Sequence, residues 1–226
     1  MVKSVVSPTS DSKRYPMIEG GNLTHEKTLF SLYRLSFKFP GSRFNRVVTL
    51  AALLVAGLWS WHLRAEPSKL FAQFRRLVEV DFTFATSVLG FLIAGFTVFV
   101  TVTKLDIFVE MAKREYETTG ESYLKYNLNA FMLAFVHYIA FVFACLCFQI
   151  FGQSGGPAAY LLGILTGLSP EHAVLVRGTV AGVLFTCMCG WTFYVVLLLK
   201  SFIFNTYQVV VRSRMIDNLF LEQVRV

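Results

Sequence analysis

Between Leu128 and Pro170 the chain contains no Asp, Glu, Lys or Arg, and the stretches Phe82–Thr103 and Gly178–Leu199 also lack formal charge. Charged residues are 15% of the 226, against about a quarter in soluble proteins, and hydrophobic residues are 55%. Runs of this length and apolarity exclude a soluble core. At about 1.5 Å of rise per residue, each can cross roughly 30 Å of hydrocarbon as a helix. They are apolar at nearly every position and do not alternate, which favours helices over barrel strands.

Other absences narrow the function. No glycine-rich phosphate loop ending in Lys-Ser or Lys-Thr is present, no HExxH, no G-x-S-x-G, and no pair of acidic residues within a span, so neither catalysis nor ion-coupled transport is expected. His62, His172 with Glu171, and Asp106 are the only candidates for lipid chemistry, and none is convincingly paired. Matched halves, the mark of a carrier, are missing. The four cysteines form two C-x-C pairs, Cys145 with Cys147 and Cys187 with Cys189. Two helical residues turn about 200°, so the thiols of each pair diverge. No metal, other cofactor or disulfide framework is expected. The formal charge of +7 is not gathered into a basic domain, so direct nucleic-acid binding is not expected. The polar first 46 residues argue against a cleavable signal peptide.

What remains is an all-α, polytopic membrane protein with four transmembrane helices at about 47–63, 82–103, 127–152 and 177–203. The first span, Val47–Leu63, is short; Trp59 and Trp61 suit a headgroup boundary at one end, and a re-entrant or interfacial segment is the alternative. Lys and Arg number eight in 1–46, four in 64–81, four in 104–126, one in 151–177 and four from Lys200 onward. The positive-inside rule then places both termini and the 104–126 loop in the cytoplasm, giving an N-in/C-in, multi-pass protein. Arg64, Lys69, Arg75 and Arg76, which would have to be translocated, oppose this assignment at the first outer loop.

Interfacial amphipathic helices flank the spans. Ser68–Val78 carries Leu70, Phe71, Phe74, Leu77 and Val78 on one face, with Ser68 as a candidate N-cap, and is expected to lie along the membrane surface. Leu29–Phe39 is read the same way within a cytoplasmic N-terminal segment, residues 1–46. The 104–126 loop pairs Glu110 with Arg114, and Glu117 with Glu121 and Lys125, at i,i+4; this predicts a helical hairpin projecting into the cytoplasm. Together with Leu219 and Phe220 of the amphiphilic tail within 204–226, Glu110, Arg114, Glu117 and Glu121 form a candidate docking surface for a cytoplasmic protein. The apolar stretch in Gly155–Pro170 is too short to cross and is expected to form an interfacial or lumen-capping helix, with a re-entrant pore loop as the alternative.

Two spans carry seams. On the second, Thr83, Ser87, Gly90, Ala94, Thr97 and Thr101 recur at steps of four and three. Such a stripe suits a helix-packing seam within the protomer or, if several copies surround an axis, a polar path through an oligomer. On the fourth, Gly178, Gly182, Thr186 and Gly190 recur every four residues and predict close helix packing, with a partner that spacing cannot identify. His137 is the one ionisable residue deep in an apolar run: a relay or ligand, or a neutral ring bonded to a hydroxyl on the second helix.

The Gly90-Phe-Leu-Ile-Ala-Gly-Phe-Thr-Val-Phe99 span, the charged hairpin, and the third span with Leu124-Lys-Tyr-Asn, Phe131-Met and His137-Tyr resemble the small four-helix membrane proteins of bacterial antiphage operons, the Kiwa membrane-subunit type. The resemblance covers Phe82–Phe148. It implies a homo-oligomer of the bacterial inner membrane that senses or disrupts the bilayer together with a cytoplasmic protein. The expectation is therefore a non-enzymatic, lipid-embedded, homo-oligomeric scaffold or sensor, with an oligomeric channel lined by the second span as the alternative.

Overall fold

The structure, a computed structural model, describes residues 43–102, 105–113, 122–165, 167 and 170–224. These residues form six helices and no strand: α1 (Arg43–His62), α2 (Pro67–Val102), α3 (Leu105–Lys113), α4 (Tyr123–Phe151), α5 (Pro157–Leu165) and α6 (Pro170–Val224). Four of them, α1, α2, α4 and α6, are long and apolar enough to cross a membrane. Segment 1–42, with Leu29–Phe39, lies outside the described residues.

A heptad builds the core. On α2 the buried positions Leu70, Phe74, Val78, Ala85, Leu92 and Phe99 fall on one stripe. On α4 the corresponding stripe is Phe131, Ala134, Tyr138, Phe141 and Cys145, and on α6 it is Met188, Val195 and Phe202. A spacing near 3.5 residues keeps each stripe facing its neighbours along the helix. Rings interlock edge-on across it: Phe74 with Phe148 at 5.1 Å, Phe99 with Phe131 at 5.3 Å and Phe141 with Trp191 at 5.3 Å. The outward faces stay apolar, with Leu54 and Leu58 of α1 and Phe143 of α4 each more than two-thirds exposed, as suits side chains whose solvent is lipid.

Two expectations about the connections need correction. Segment 68–78 is not a separate surface helix: α2 begins at Pro67 and runs unbroken for 36 residues, so the amphipathic face continues the core stripe. The Lys69 and Leu70 amides donate to the carbonyl of Glu66, which makes Glu66, not Ser68, the residue before the first turn. Pro67 suits that first turn because its missing N–H has no helical partner there anyway. Likewise α3 packs against the bundle rather than standing clear of it. Ile107 and Met111 are buried in the common core, and Phe108 meets Phe99 edge-on at 5.9 Å. Ser122 caps α4, its hydroxyl accepting from the Lys125 amide at 3.2 Å. The helix ends at Gly152, whose N–H reaches the Phe148 carbonyl at 2.8 Å. The short helix α5 in the Gly155–Pro170 stretch leaves Tyr160, Leu161 and Ile164 exposed.

Candidate functional site

The glycine groove of α6 is filled by α1. A Cβ on Gly178 would collide with the backbone carbonyl of Arg64, one on Gly182 would come within 3.2 Å of Ser60 Cβ, and one on Gly190 would meet the Leu53 side chain. The Ser60 and Thr186 hydroxyls are 3.1 Å apart, and Gly57 faces Thr186. Absence of side chains on α6 is what lets α1 seat antiparallel against it, and the partner left open by the sequence is a helix of the same chain. The seam continues to one end, where Asn45 donates to Ser201 Oγ at 3.1 Å.

The stripe on α2 does the opposite. At 100° per residue, Thr83, Ser87, Gly90, Ala94, Thr97 and Thr101 lie about 160° from the core position Ala85. All six are exposed, and none of the other described residues comes within 4 Å of where a Gly90 Cβ would sit. The hydroxyls donate inward along their own helix: Thr83 to Glu79 O, Ser87 to Thr83 O, Thr97 to Ile93 O and Thr101 to Thr97 O, at 2.8 to 3.1 Å. Among the described residues no other helix packs against this face.

His137 sits beside Tyr194 of α6, Nε2 to hydroxyl 3.3 Å, the rings edge-on at 4.9 Å. The hydroxyl beside it belongs to the fourth span. The adjacent Tyr138, fully buried, donates to the Val195 carbonyl at 2.9 Å. All four thiols are free.

Sequence reasoning missed Asp81. It is 2% exposed and accepts a hydrogen bond from Thr192 at 2.7 Å. The signal was present: Asp81 stands four before Ala85 and three after Val78 on the heptad, but drawing the span boundary at the last charge hid it.

A groove runs along α6 between α1 and α4. Its floor is Cys187, Tyr194, Leu198 and Asn205, at seven- and four-residue steps along one face of α6. Its two halves, about 1090 Å³ and 920 Å³, share Thr49 and Tyr194 as the sill between them. One half ends among Asn45, Arg46, Asn129 and Lys200; the other is walled by Leu53, Val136, Ile139, Ala140 and Phe143. The buried side-chain atoms left without a hydrogen bond among the described residues are Asn45 Oδ1, Thr49 Oγ1 and Asn129 Nδ2, and all three residues line the first half. Each such atom costs about 1–3 kcal/mol when it finds no partner.

Of the candidate docking residues, Glu110 is half-buried on α3. Arg114, Glu117 and Glu121 lie outside the described residues. Leu219 and Phe220 are on the last turns of α6, where only the backbone is described. Compared with known proteins, the chain matches no family model, no curated protein and no solved structure.

Proposed function

We propose that the chain is a non-enzymatic, homo-oligomeric scaffold or sensor of the bacterial inner membrane, with both termini cytoplasmic, that docks a cytoplasmic partner and works in antiphage defence. The observation that carries the oligomer is the α2 stripe. A face of Gly90, Ala94 and hydroxyls satisfied by their own helix lets a second backbone approach closely, and no other described helix of the protomer uses it. The orientation follows from the excess of Lys and Arg in 1–46, 104–126 and the tail. The partner surface is α3 with the end of α6, and the defence setting rests on the resemblance of Phe82–Phe148.

Mass measurement of the detergent-solubilised complex tests the oligomer. Ala94→Leu, which fills the stripe without touching the core, is expected to reduce the complex to single protomers; an unchanged mass overturns the seam. Liposomes holding the purified protein are expected to retain a trapped dye. Dye or ion flux abolished by Thr97→Leu would replace the scaffold with the channel. Purification together with the product of the neighbouring gene tests the docking.

A further inference from the structure

We propose that the groove between α1 and α4 binds an acidic phospholipid, its phosphate at the Arg46 and Lys200 end and an acyl chain along the Leu53 to Phe143 end. The polarity of the groove changes along its length in the same order as that of a phospholipid. At one end stand two cations, Arg46 and Lys200, the latter over the Phe44 ring at 4.2 Å, and among the described residues no acidic side chain lines either half. Next come three buried polar atoms without partners: the Asn129 amide donor, the Thr49 hydroxyl and the Asn45 carbonyl acceptor. The Asn129 amide and the Thr49 hydroxyl can donate to the ester carbonyls of a phospholipid, and the Asn45 oxygen can accept from a headgroup hydroxyl. Asn129 is 4% exposed, so bulk water cannot supply its missing bond freely. Beyond the Thr49 and Tyr194 sill the walls are largely apolar, with His137, Cys187 and Trp191 as the side chains that carry a heteroatom.

Dimensions agree. From Cys187 to Asn205 the floor spans about 27 Å at the helical rise, the scale of a head and one extended chain. Volumes of about 1090 Å³ and 920 Å³ place each half near the top of the usual range for small-molecule sites, roughly 300–1,000 Å³. Acidic lipid is favoured over zwitterionic lipid because basic side chains near the membrane surface are attracted to net negative headgroups, while a phosphocholine would bring its own cation to the mouth.

Native mass spectrometry of the detergent-purified protein, delipidated and then titrated with phosphatidylglycerol or phosphatidylcholine of matched chains, tests this. The expected result is one phosphatidylglycerol per protomer, retained at least tenfold over phosphatidylcholine and not displaced by inorganic phosphate. Asn129→Leu and Leu133→Trp are each expected to lower that retention at least fivefold; Leu54→Trp, on the outward face of α1, leaves it unchanged. Should Leu133→Trp fail to fold, Lys200→Gln, an exposed position, serves in its place with the same expectation. Equal retention of the two lipids, retention indifferent to the groove variants, or displacement by phosphate alone overturns the proposal. So does a disulfide between two copies through Leu133→Cys, which would assign the groove to a second protomer.

Discussion

Thr192 on α6 donates to Oδ2 of Asp81 on α2 at 2.7 Å, beside the bundle's cluster of buried hydrophobic side chains. The same hydroxyl lies 2.8 Å from the Met188 carbonyl, so its single proton is shared between a helix-internal acceptor that already has a partner and a carboxyl group that is 2% exposed. The bond ties two parallel helices at one register, where a heptad of hydrocarbon alone would tolerate a slip of one repeat.

Thr192→Val removes that donor and leaves the Asp81 oxygen buried without it, a loss of about 1–3 kcal/mol. Thr192→Ser restores the hydroxyl and most of the stability. Asp81→Asn keeps an acceptor oxygen and is expected to cost less than Thr192→Val. Thermal unfolding in detergent reads all three; equal midpoints for Thr192→Val and the parent would show that the bond contributes nothing.

The spans were legible because lipid as a solvent imposes a plain rule on composition, and the uncharged runs around Phe91, Phe141 and Phe193 obey it. The close approach at Gly178, Gly182, Thr186 and Gly190 was legible too, since missing side chains mark a contact. Its partner was not, because spacing describes one face and says nothing of what meets it. The 68–78 segment misled for a related reason. An amphipathic face looks the same whether it lies on a bilayer or on α6, and only continuity of Leu70, Phe74 and Val78 with Ala85 and Leu92 separates the two. The groove was out of reach altogether: Asn45, Asn129 and Lys200 meet only once three helices are placed.

Leu70 distinguishes those two settings. It is fully buried and reaches within 3.6 Å of where a Gly182 Cβ would lie. Leu70→Ala is expected to destabilise by about 2–5 kcal/mol, the range for truncating a buried leucine. A surface-lying helix would lose little stability from the same change, so a midpoint shift of a degree or less in a detergent melt would return this segment to the membrane surface.

The α1–α6 seam predicts a graded response. Gly178→Ala drives a methyl into the Arg64 backbone carbonyl, which cannot rotate away, whereas Gly190→Ala meets the flexible end of Leu53. Overpacking of this kind costs about 1–3 kcal/mol, with Gly178→Ala at the upper end and Gly190→Ala at the lower. In a cysteine-free background, Ser60→Cys with Thr186→Cys is expected to close a disulfide within one protomer, migrating as monomer on a non-reducing gel. A dimer band instead would mean that α1 seats on a neighbouring copy.

Gly90 gives the seam on α2 a sign test. In an isolated protomer the added methyl of Gly90→Ala meets none of the other described residues within 4 Å, and replacing glycine by alanine inside a helix gains about 1 kcal/mol. Where a second backbone lies against the stripe, the same methyl holds the helices apart and the gain is reversed. Gly90→Ala is therefore expected to raise the unfolding midpoint at dilutions where the complex has dissociated and to weaken association where it has not. The two readings come from one titration of protein concentration in detergent, followed by mass and by thermal unfolding. A stabilisation that is the same at every concentration would show that the face of Gly90, Ala94 and Thr97 meets only lipid.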